Sequence, residues 1–238
     1  MRAVITRTFA AAALASACAL AQAAPTISLS GGALFNDTGN NFGQWFGGST
    51  SSVNIWEGGT ISISKASWVR IEYFGKEAAF SNNQFWWGTL GPYGTGSLIA
   101  TTGPGAPALV PNPVPPNPGA PLSTTSRTGF LSGVMPFYFG ITDPAAGAPV
   151  PRVVENGHNE GTVTDDIGFW FGRNADGSLQ TSGKSVWVLL DDGGGGQDND
   201  HDDMVIRLTA EIPEPSTYML LLAGLGLLGF MARRRMQG

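Results

Sequence analysis

Carboxylates are most concentrated in one loop late in the chain, residues 191–203. This acidic loop has no lysine or arginine, and four consecutive glycines separate its two acidic ends. Carboxylate oxygens are the preferred ligands of Ca²⁺, and glycines let such a loop fold back so that its ends meet. We therefore predict Ca²⁺ as a cofactor, bound by six ligands: Asp191, Asp192, Asp198, Asp200, Asp202 and Asp203.

The acidic loop does not follow the EF-hand pattern. Counted from Asp198, the position that requires glycine is Asp203 and the position that requires glutamate is Thr209. The alternative to a metal site is a solvated acidic turn in which aspartates cap backbone N–H groups. His201 is interpreted as an incidental neighbour, because Ca²⁺ prefers oxygen ligands.

Two predicted strands hold the acidic loop as the connection of a hairpin. Residues 186–190 are uniformly apolar, which predicts a strand covered on both faces, and residues 204–212 alternate, which predicts a half-buried strand. Residues 69–73 alternate as well, and frequent glycine and proline exclude long helices in this part of the chain. The predicted class is all-β, a β-sandwich or jelly-roll-like single domain over residues 24–212.

A proline-rich segment interrupts this body. Residues 103–121 hold 8 of the 16 prolines, so they cannot donate a regular ladder of hydrogen bonds. We interpret the segment as an exposed loop inserted into one domain. The alternative is a linker between two lobes, residues 24–102 and 122–212, each of which would have a small core.

Three short motifs place adjacent aromatic residues before a glycine: residues 42–47, 84–88 and 168–172. Neighbouring side chains of a strand point to opposite faces, so one ring of each pair is expected in the core. The other ring either stacks on a sugar or packs beneath a covering layer, and we favour the covered arrangement.

Signals of catalysis are few, so the predicted protein is not an enzyme. The body has two histidines and lacks the nucleophile-elbow, zinc-protease and phosphate-loop motifs. A glycosidase needs only two suitably spaced carboxylates. Candidates for such a pair are Glu155, Glu160, Asp165 and Asp166.

The N-terminus has the pattern of a secretory signal peptide over residues 1–23. Arg2 and Arg7 precede an apolar stretch, and residues 21–23 form a small-x-small site for signal peptidase. Cys18 raises the alternative of a lipoprotein, but Leu14 lies one place too early for a good lipobox.

Removal of both ends leaves an acidic body without cysteine, which excludes disulfides and thiolate metal sites. Residues 25–212 carry 17 acidic and 8 basic side chains, a net charge of −9, against −5 for the whole chain. This charge excludes nucleic acid as a partner.

The carboxyl end carries three elements in a fixed order. Pro213, Glu214 and Pro215 precede the uncharged residues 218–232, and the basic tail 233–235 follows. A 15-residue helix rises only about 22 Å, short of a hydrocarbon core of about 30 Å, so the predicted transmembrane helix is marginal. The basic tail would keep this end in the cytoplasm and the body outside.

This order resembles the PEP-CTERM sorting signal of exported proteins in Gram-negative bacteria that make extracellular polysaccharide. The resemblance covers residues 213–238 and implies that an exosortase recognises Pro213, Glu214 and Pro215. It implies an inner-membrane intermediate held by the C-terminal helix, followed by loss of that helix. Delivery to the cell surface or extracellular matrix is the expected outcome.

The hairpin over residues 186–208 resembles the end of an uncharacterised family of exported β-rich domains. Four acidic positions match the family pattern: Asp192, Asp198, Asp200 and Asp203. Three positions depart from it, where the family has glutamate, an aromatic residue and asparagine: Asp191, His201 and Asp202. The resemblance implies a β-rich exported domain and leaves the ligand set open.

Together these features predict a non-catalytic protein of the cell surface or matrix that associates with exopolysaccharide in a biofilm and is stabilised by Ca²⁺. The alternative is a secreted glycan-binding module or polysaccharide-active enzyme. Exposed aromatic rings beside a carboxylate-lined groove would favour the alternative.

Overall fold

The computed structural model describes residues 24–38, 43–46, 52–76, 83–88, 96–101, 120–130, 132–141, 152–158, 166–192, 200–211 and 215–236. Within them, Pro25–Glu211 forms one compact unit built almost entirely of antiparallel strands. The all-β prediction is therefore confirmed.

The described part of this unit contains fifteen strands and one short 3₁₀ helix, Gly43–Phe46. The strands are β1 (Ile27–Ser30), β2 (Ala33–Thr38), β3 (Ser52–Glu57), β4 (Thr60–Ile63), β5 (Ser67–Gly75), β6 (Asn83–Trp87), β7 (Ser97–Thr101), β8 (Ser123–Phe130), β9 (Gly133–Val134), β10 (Phe137–Ile141), β11 (Arg152–Glu155), β12 (Asp166–Trp170), β13 (Ser182–Gly183), β14 (Ser185–Asp191) and β15 (Met204–Glu211).

Three sheets are formed by these strands. The main sheet has seven strands in the order β2-β3-β12-β14-β15-β5-β8. The first minor sheet has the order β13-β1-β4-β9, and the second has the order β11-β10-β6-β7. Strands β5 and β8 pair although they flank the proline-rich segment in sequence, and residues 102–119 of that segment lie outside the described residues.

One apolar core joins a face of the main sheet to both minor sheets. It includes Phe169 of the main sheet, Ile61 of the first minor sheet, and Phe85 and Phe139 of the second. The rings of Phe85 and Phe139 meet at 5.1 Å between centroids. Adjacent layers that share a core in this way are typical of sandwich architectures.

The alternation predicted for residues 69–73 is confirmed. Val69, Ile71 and Tyr73 lie in this core. Glu72 lies on the opposite face, where its carboxylate accepts a hydrogen bond of 2.8 Å from Arg207 Nε.

The opposite face of the main sheet is also covered, so the prediction of a half-buried strand after the acidic loop is wrong. Strand β15 is buried on both faces, because Trp45 and Phe46 of the 3₁₀ helix pack with Phe74 and Trp187 over it. Two-sided burial of residues 186–190 is confirmed.

In the aromatic motifs, neighbouring rings point to opposite faces, as predicted, only where the motif forms a strand. Phe85 and Phe169 enter the core, and Trp170 packs on the other face at 4.9 Å from Phe46. Trp45 and Phe46 instead lie in the 3₁₀ helix, where both rings turn towards the sheet.

Two glycine pairs allow the chain to cross between the main sheet and the first minor sheet. Gly31 and Gly32 connect β1 to β2, Gly58 and Gly59 connect β3 to β4, and all four have positive φ. A Cβ on Gly59 would lie 2.8 Å from the backbone nitrogen of Gly32. Only glycine permits two turns to approach so closely.

The remaining unit comprises residues 1–24 and 212–238. Its described residues that follow the body form one helix, Pro215–Met236. Its last turn carries Arg233, Arg234 and Arg235. Across the described ranges, no helix combines the length and apolar character needed to cross a membrane. The predicted span over 218–232 stays a prediction, and the predicted signal peptide, 1–23, lies outside the described residues.

Candidate functional site

The hairpin brings the two ends of the acidic loop together. Strands β14 and β15 pair antiparallel with Leu190 opposite Met204, as the sequence predicted. The backbone N–H of Asp203 donates to the carbonyl of Leu190 at 3.1 Å, which continues the ladder one step into the loop. Residues 193–199 lie outside the described residues. The described residues of the two ends form two clusters, and each cluster contains residues from both ends: Asp191 with His201, and Asp192 with Asp203.

The first group, called the histidine cluster, comprises Asp37, Asp166, Asp191 and His201. Asp166 and Asp191 are directly opposed across β12 and β14, and His201 folds back over this end of the sheet. Its Nε2 contacts Asp166 Oδ1, and its Nδ1 lies 3.6 Å from Asp37 Oδ2. The backbone N–H of His201 also donates to Asp37, at 3.2 Å.

Electrostatics make His201 a buried cation. Burial by itself lowers the pKa of His201, but its hydrogen bond to Asp166 and the negative charges of Asp166 and Asp37 raise it to about 10. For Asp166 the effect of burial is the reverse, because it raises the pKa of a carboxyl group. The hydrogen bond and charge of His201 nevertheless hold the pKa of Asp166 below its ordinary value. The imidazolium therefore neutralises carboxylates that the interior would otherwise not tolerate.

Glu57 completes the edge of the histidine cluster. Burial, with a hydrogen bond and negative charge from Asp166, raises the pKa of Glu57 to about 7. Glu57 lies on β3 opposite Gly168, so four strands of the main sheet, β2, β3, β12 and β14, contribute acidic groups around one imidazole.

Gly168 provides the space that His201 occupies. A Cβ at Gly168 would lie 2.9 Å from Cδ2 of His201 and 2.5 Å from Cδ1 of Ile55. The same ring lies 5.6 Å from Phe35, centroid to centroid. The imidazole is therefore packed from two sides as well as hydrogen-bonded.

Gly168→Ala should lower the free energy of unfolding by about 1–3 kcal/mol, since the added methyl overpacks the site and displaces the imidazole. The matched control is Gly140→Ala, which is also in a strand but whose Cβ would find its nearest atom at 3.6 Å. Urea denaturation of both variants measures the difference. Equal loss of stability in the two variants would contradict tight packing over Gly168.

The second group, called the aspartate cluster, comprises Asn83, Asp192 and Asp203 and lies towards the core. The side-chain amide of Asn83, from the second minor sheet, donates to Asp192 Oδ2. The backbone N–H of Asp192 donates to Asp203 Oδ2 at 2.6 Å. All three side chains are buried.

The aspartate cluster places two carboxylates together in a dry environment. Burial, followed by the negative charge of Asp192, raises the pKa of Asp203 to about 10. At neutral pH this pair must therefore share a proton or receive positive charge from another source. Two carboxylates and an amide oxygen are hard donors that fit Ca²⁺.

The structure thus divides the six predicted ligands. Asp191 joins the histidine cluster, and Asp192 and Asp203 form the aspartate cluster. Asp200 and Asp202, the neighbours of His201 in sequence, are buried. Asp198 lies outside the described residues. The six-ligand set stays a prediction.

His201 is not the incidental neighbour expected from the sequence. It is fully buried, and its imidazole together with Asp166 and Asp191 offers three ligand atoms within 4.8 Å of one another. In the absence of an ion, the hydrogen bond to Asp166 and the negative charge of Asp166 and Asp37 raise the pKa of His201 and so favour the imidazolium, which pairs with these carboxylates. We therefore assign the histidine cluster to an internal ion pair.

The comparisons with known proteins concern the C-terminal end. Residues 211–235 match the PEP-CTERM protein-sorting motif. Neither the curated proteins nor the solved structures include a significant match to this chain. The motif implies an exported bacterial protein that is processed by exosortase and sorted to the cell surface. Of its signature, Pro215 begins the C-terminal helix, whereas Pro213 and Glu214 lie outside the described residues.

Proposed function

We propose that this chain is a non-catalytic protein of the cell surface or extracellular matrix, whose acidic hairpin stabilises the fold with an internal ion pair and a Ca²⁺ ion. The observation that carries this proposal is the burial of the hairpin's reactive groups. His201 and Asp202 of the hairpin are each 0% exposed, as is Asp37 of β2, which faces His201, so their charges act on the fold and not on a substrate in solvent.

Asp192 and Asp203 are the proposed core of the Ca²⁺ site. They approach each other through the hydrogen bond from Asp192 N–H to Asp203 Oδ2, and the nearby Asn83 belongs to the opposing sheet. A cation here would relieve the repulsion of two carboxylates in place of a shared proton. It would also fasten the hairpin to the second minor sheet. Ca²⁺ normally takes 6–8 oxygen ligands, and Asp198, Asp200 and Asp202 are the candidates for the remainder.

Sorting is proposed to proceed through an inner-membrane intermediate of a Gram-negative bacterium. Exosortase would recognise Pro213, Glu214 and Pro215, and the protein recovered from the matrix should lack residues from about Tyr218 onward. Glu214→Ala should leave the protein in the inner membrane, because the charged centre of the recognition motif is lost.

Cell fractionation with intact-mass measurement tests this sorting prediction. The control is Asp176→Ala, which also removes one carboxylate but lies in an exposed turn of the body and should be sorted normally. Surface-released protein that retains its whole tail would refute exosortase processing.

A glycan-binding module is a second candidate function, because one observation favours it. On the outer face of the second minor sheet, four residues form a row across its four strands, each opposite the next: Leu98, Trp86, Tyr138 and Glu155. The rings of Trp86 and Tyr138 are parallel within 5°, at 5.9 Å between centroids. Tyr138 is buried, so the half-buried ring of Trp86 would be the aromatic surface for the apolar face of a sugar, with Glu155 two strands away for its hydroxyl groups.

Association with exopolysaccharide is tested by passing the body, residues 24–212, over a panel of immobilised bacterial exopolysaccharides. Retention without cleavage supports the matrix protein, and retention that Trp86→Ala abolishes supports the glycan-binding face. Release of reducing ends would overturn the non-catalytic assignment.

A further inference from the structure

A cleft opens between edge strands of the two layers, and none of its lining residues belongs to either acidic cluster. Its volume is about 390 Å³, within the range of small-molecule sites. Strand β7 is an edge of the second minor sheet and β8 an edge of the main sheet. The lining residues are Tyr73, Leu98, Ile99, Ala100, Thr101, Leu122 and Ser123.

Tyr73 gives this cleft a polar group without a partner. Its side chain is 5% exposed, and its hydroxyl finds no hydrogen-bond partner among the described residues. Buried hydroxyl groups are nearly always paired, so an orphan requires an explanation. Burial raises the pKa of Tyr73 to about 12, which keeps the hydroxyl neutral and able to donate.

The walls of the cleft specify the chemistry of a ligand. Leu98, Ile99, Ala100 and Leu122 supply aliphatic surface, and Leu98 and Leu122 remain 44% and 47% exposed. The lining residues include no charged side chain, although the body carries a net charge of −9. They also offer no exposed aromatic face for a sugar ring, since the one aromatic residue, Tyr73, is buried. The other two lining residues, Thr101 and Ser123, carry neutral hydroxyl groups, so a neutral, aliphatic ligand that carries an oxygen fits this surface.

We propose that the cleft binds an acyl or alkyl chain whose neutral hydroxyl or carbonyl oxygen hydrogen-bonds to Tyr73. The aliphatic walls would bury the chain, and its oxygen would satisfy the orphaned hydroxyl. This binding activity is independent of sorting and of Ca²⁺.

Saturation-transfer NMR with 1-octanol tests this site on the processed protein as it is recovered from cultures of the producing bacterium. The parent protein should saturate the octanol resonances, with octanoate and maltose much weaker because one is charged and the other is polar. Tyr73→Phe keeps the ring and removes the hydroxyl, so it should fold normally and bind 1-octanol about five- to tenfold more weakly.

The rim supplies a matched pair of variants. Leu122→Asp places a charge at the cleft and should abolish octanol binding, whereas Leu34→Asp places the same charge at an exposed position of β2 and should leave binding unchanged. Both leucines are largely exposed, so neither change should unfold the protein. Absence of octanol saturation, equal binding by Tyr73→Phe, or stronger binding of maltose or octanoate would overturn the proposal.

Discussion

His201→Ala should lower the melting temperature of the body by about 10 °C, the largest effect expected from one side chain. Removal of the imidazolium leaves Asp37 and Asp166 as buried carboxylates without their cation. Breaking a buried pair in this way typically costs about 3–5 kcal/mol. Differential scanning calorimetry of residues 24–212 near neutral pH measures the change.

The matched control is His158→Ala, because the only other histidine is 82% exposed and pairs with Glu155 at the surface. Its effect should stay within about 0.5 kcal/mol. Adding Asp37→Asn to His201→Ala should recover part of the lost stability, since one uncompensated charge is removed. A small effect of His201→Ala, equal to that of the control, would refute the internal ion pair.

The pH dependence of this effect follows from the raised pKa of His201. The folded protein holds the proton more tightly than the unfolded chain, with pKa values of about 10 and 6.5. The stability that His201 contributes is therefore fully present below about pH 6.5 and is lost as the pH rises towards 10. The difference in melting temperature between the parent and His201→Ala should shrink over the same interval.

Local sequence patterns predicted the framework of the fold well. Alternation located the core-facing residues Val69, Ile71 and Tyr73, and the apolar run at 186–190 located a central strand. The flanks of the acidic loop predicted the pairing of β14 with β15. These features depend on neighbours close in sequence, which a periodic pattern records.

The candidate site depends on contacts between residues distant in sequence, and a single sequence does not record them. Asp37 and His201 are 164 positions apart, and they meet because β2 is joined to the hairpin through three intervening pairings in the main sheet. Nothing in the local composition around Asp37 or Glu57 indicates burial beside an imidazole. One usable signal existed in Gly168, since a glycine within a strand indicates close approach of another group.

The half-buried strand predicted for β15 was wrong for the same reason, because its burial also depends on residues distant in sequence. Its alternation is real, but the second face is covered by Trp45 and Phe46 from a short helix far upstream. Arg207 on that face lies 5.1 Å from the ring centroids of both Phe74 and Trp187. A long polar side chain can therefore pack among rings, so a polar residue in an alternating pattern does not prove that its face is open to solvent.

Ca²⁺ should raise the melting temperature of the body relative to chelator, because the folded hairpin holds carboxylates together and the unfolded chain does not. The gain is about 2.7 kcal/mol when free Ca²⁺ is 100 times its dissociation constant. Asp198→Ala with Asp200→Ala should abolish the difference. Asp192→Asn with Asp203→Asn should also abolish it and should stabilise the protein in chelator, since both changes relieve repulsion. Asp176→Asn, in an exposed turn, should leave the Ca²⁺ response intact.

The pH dependence of the Ca²⁺ response distinguishes a cation from a shared proton at the aspartate cluster. The pKa of Asp203 rises from 3.8 to about 10 on folding, so in chelator its contribution to stability falls as the pH rises through that interval. Bound Ca²⁺ replaces the proton and removes this loss. The difference in melting temperature between Ca²⁺ and chelator should therefore grow from about pH 5 to pH 8. Identical melting curves in the two conditions at every pH would mean that Asp192 and Asp203 keep a proton between them and bind no cation.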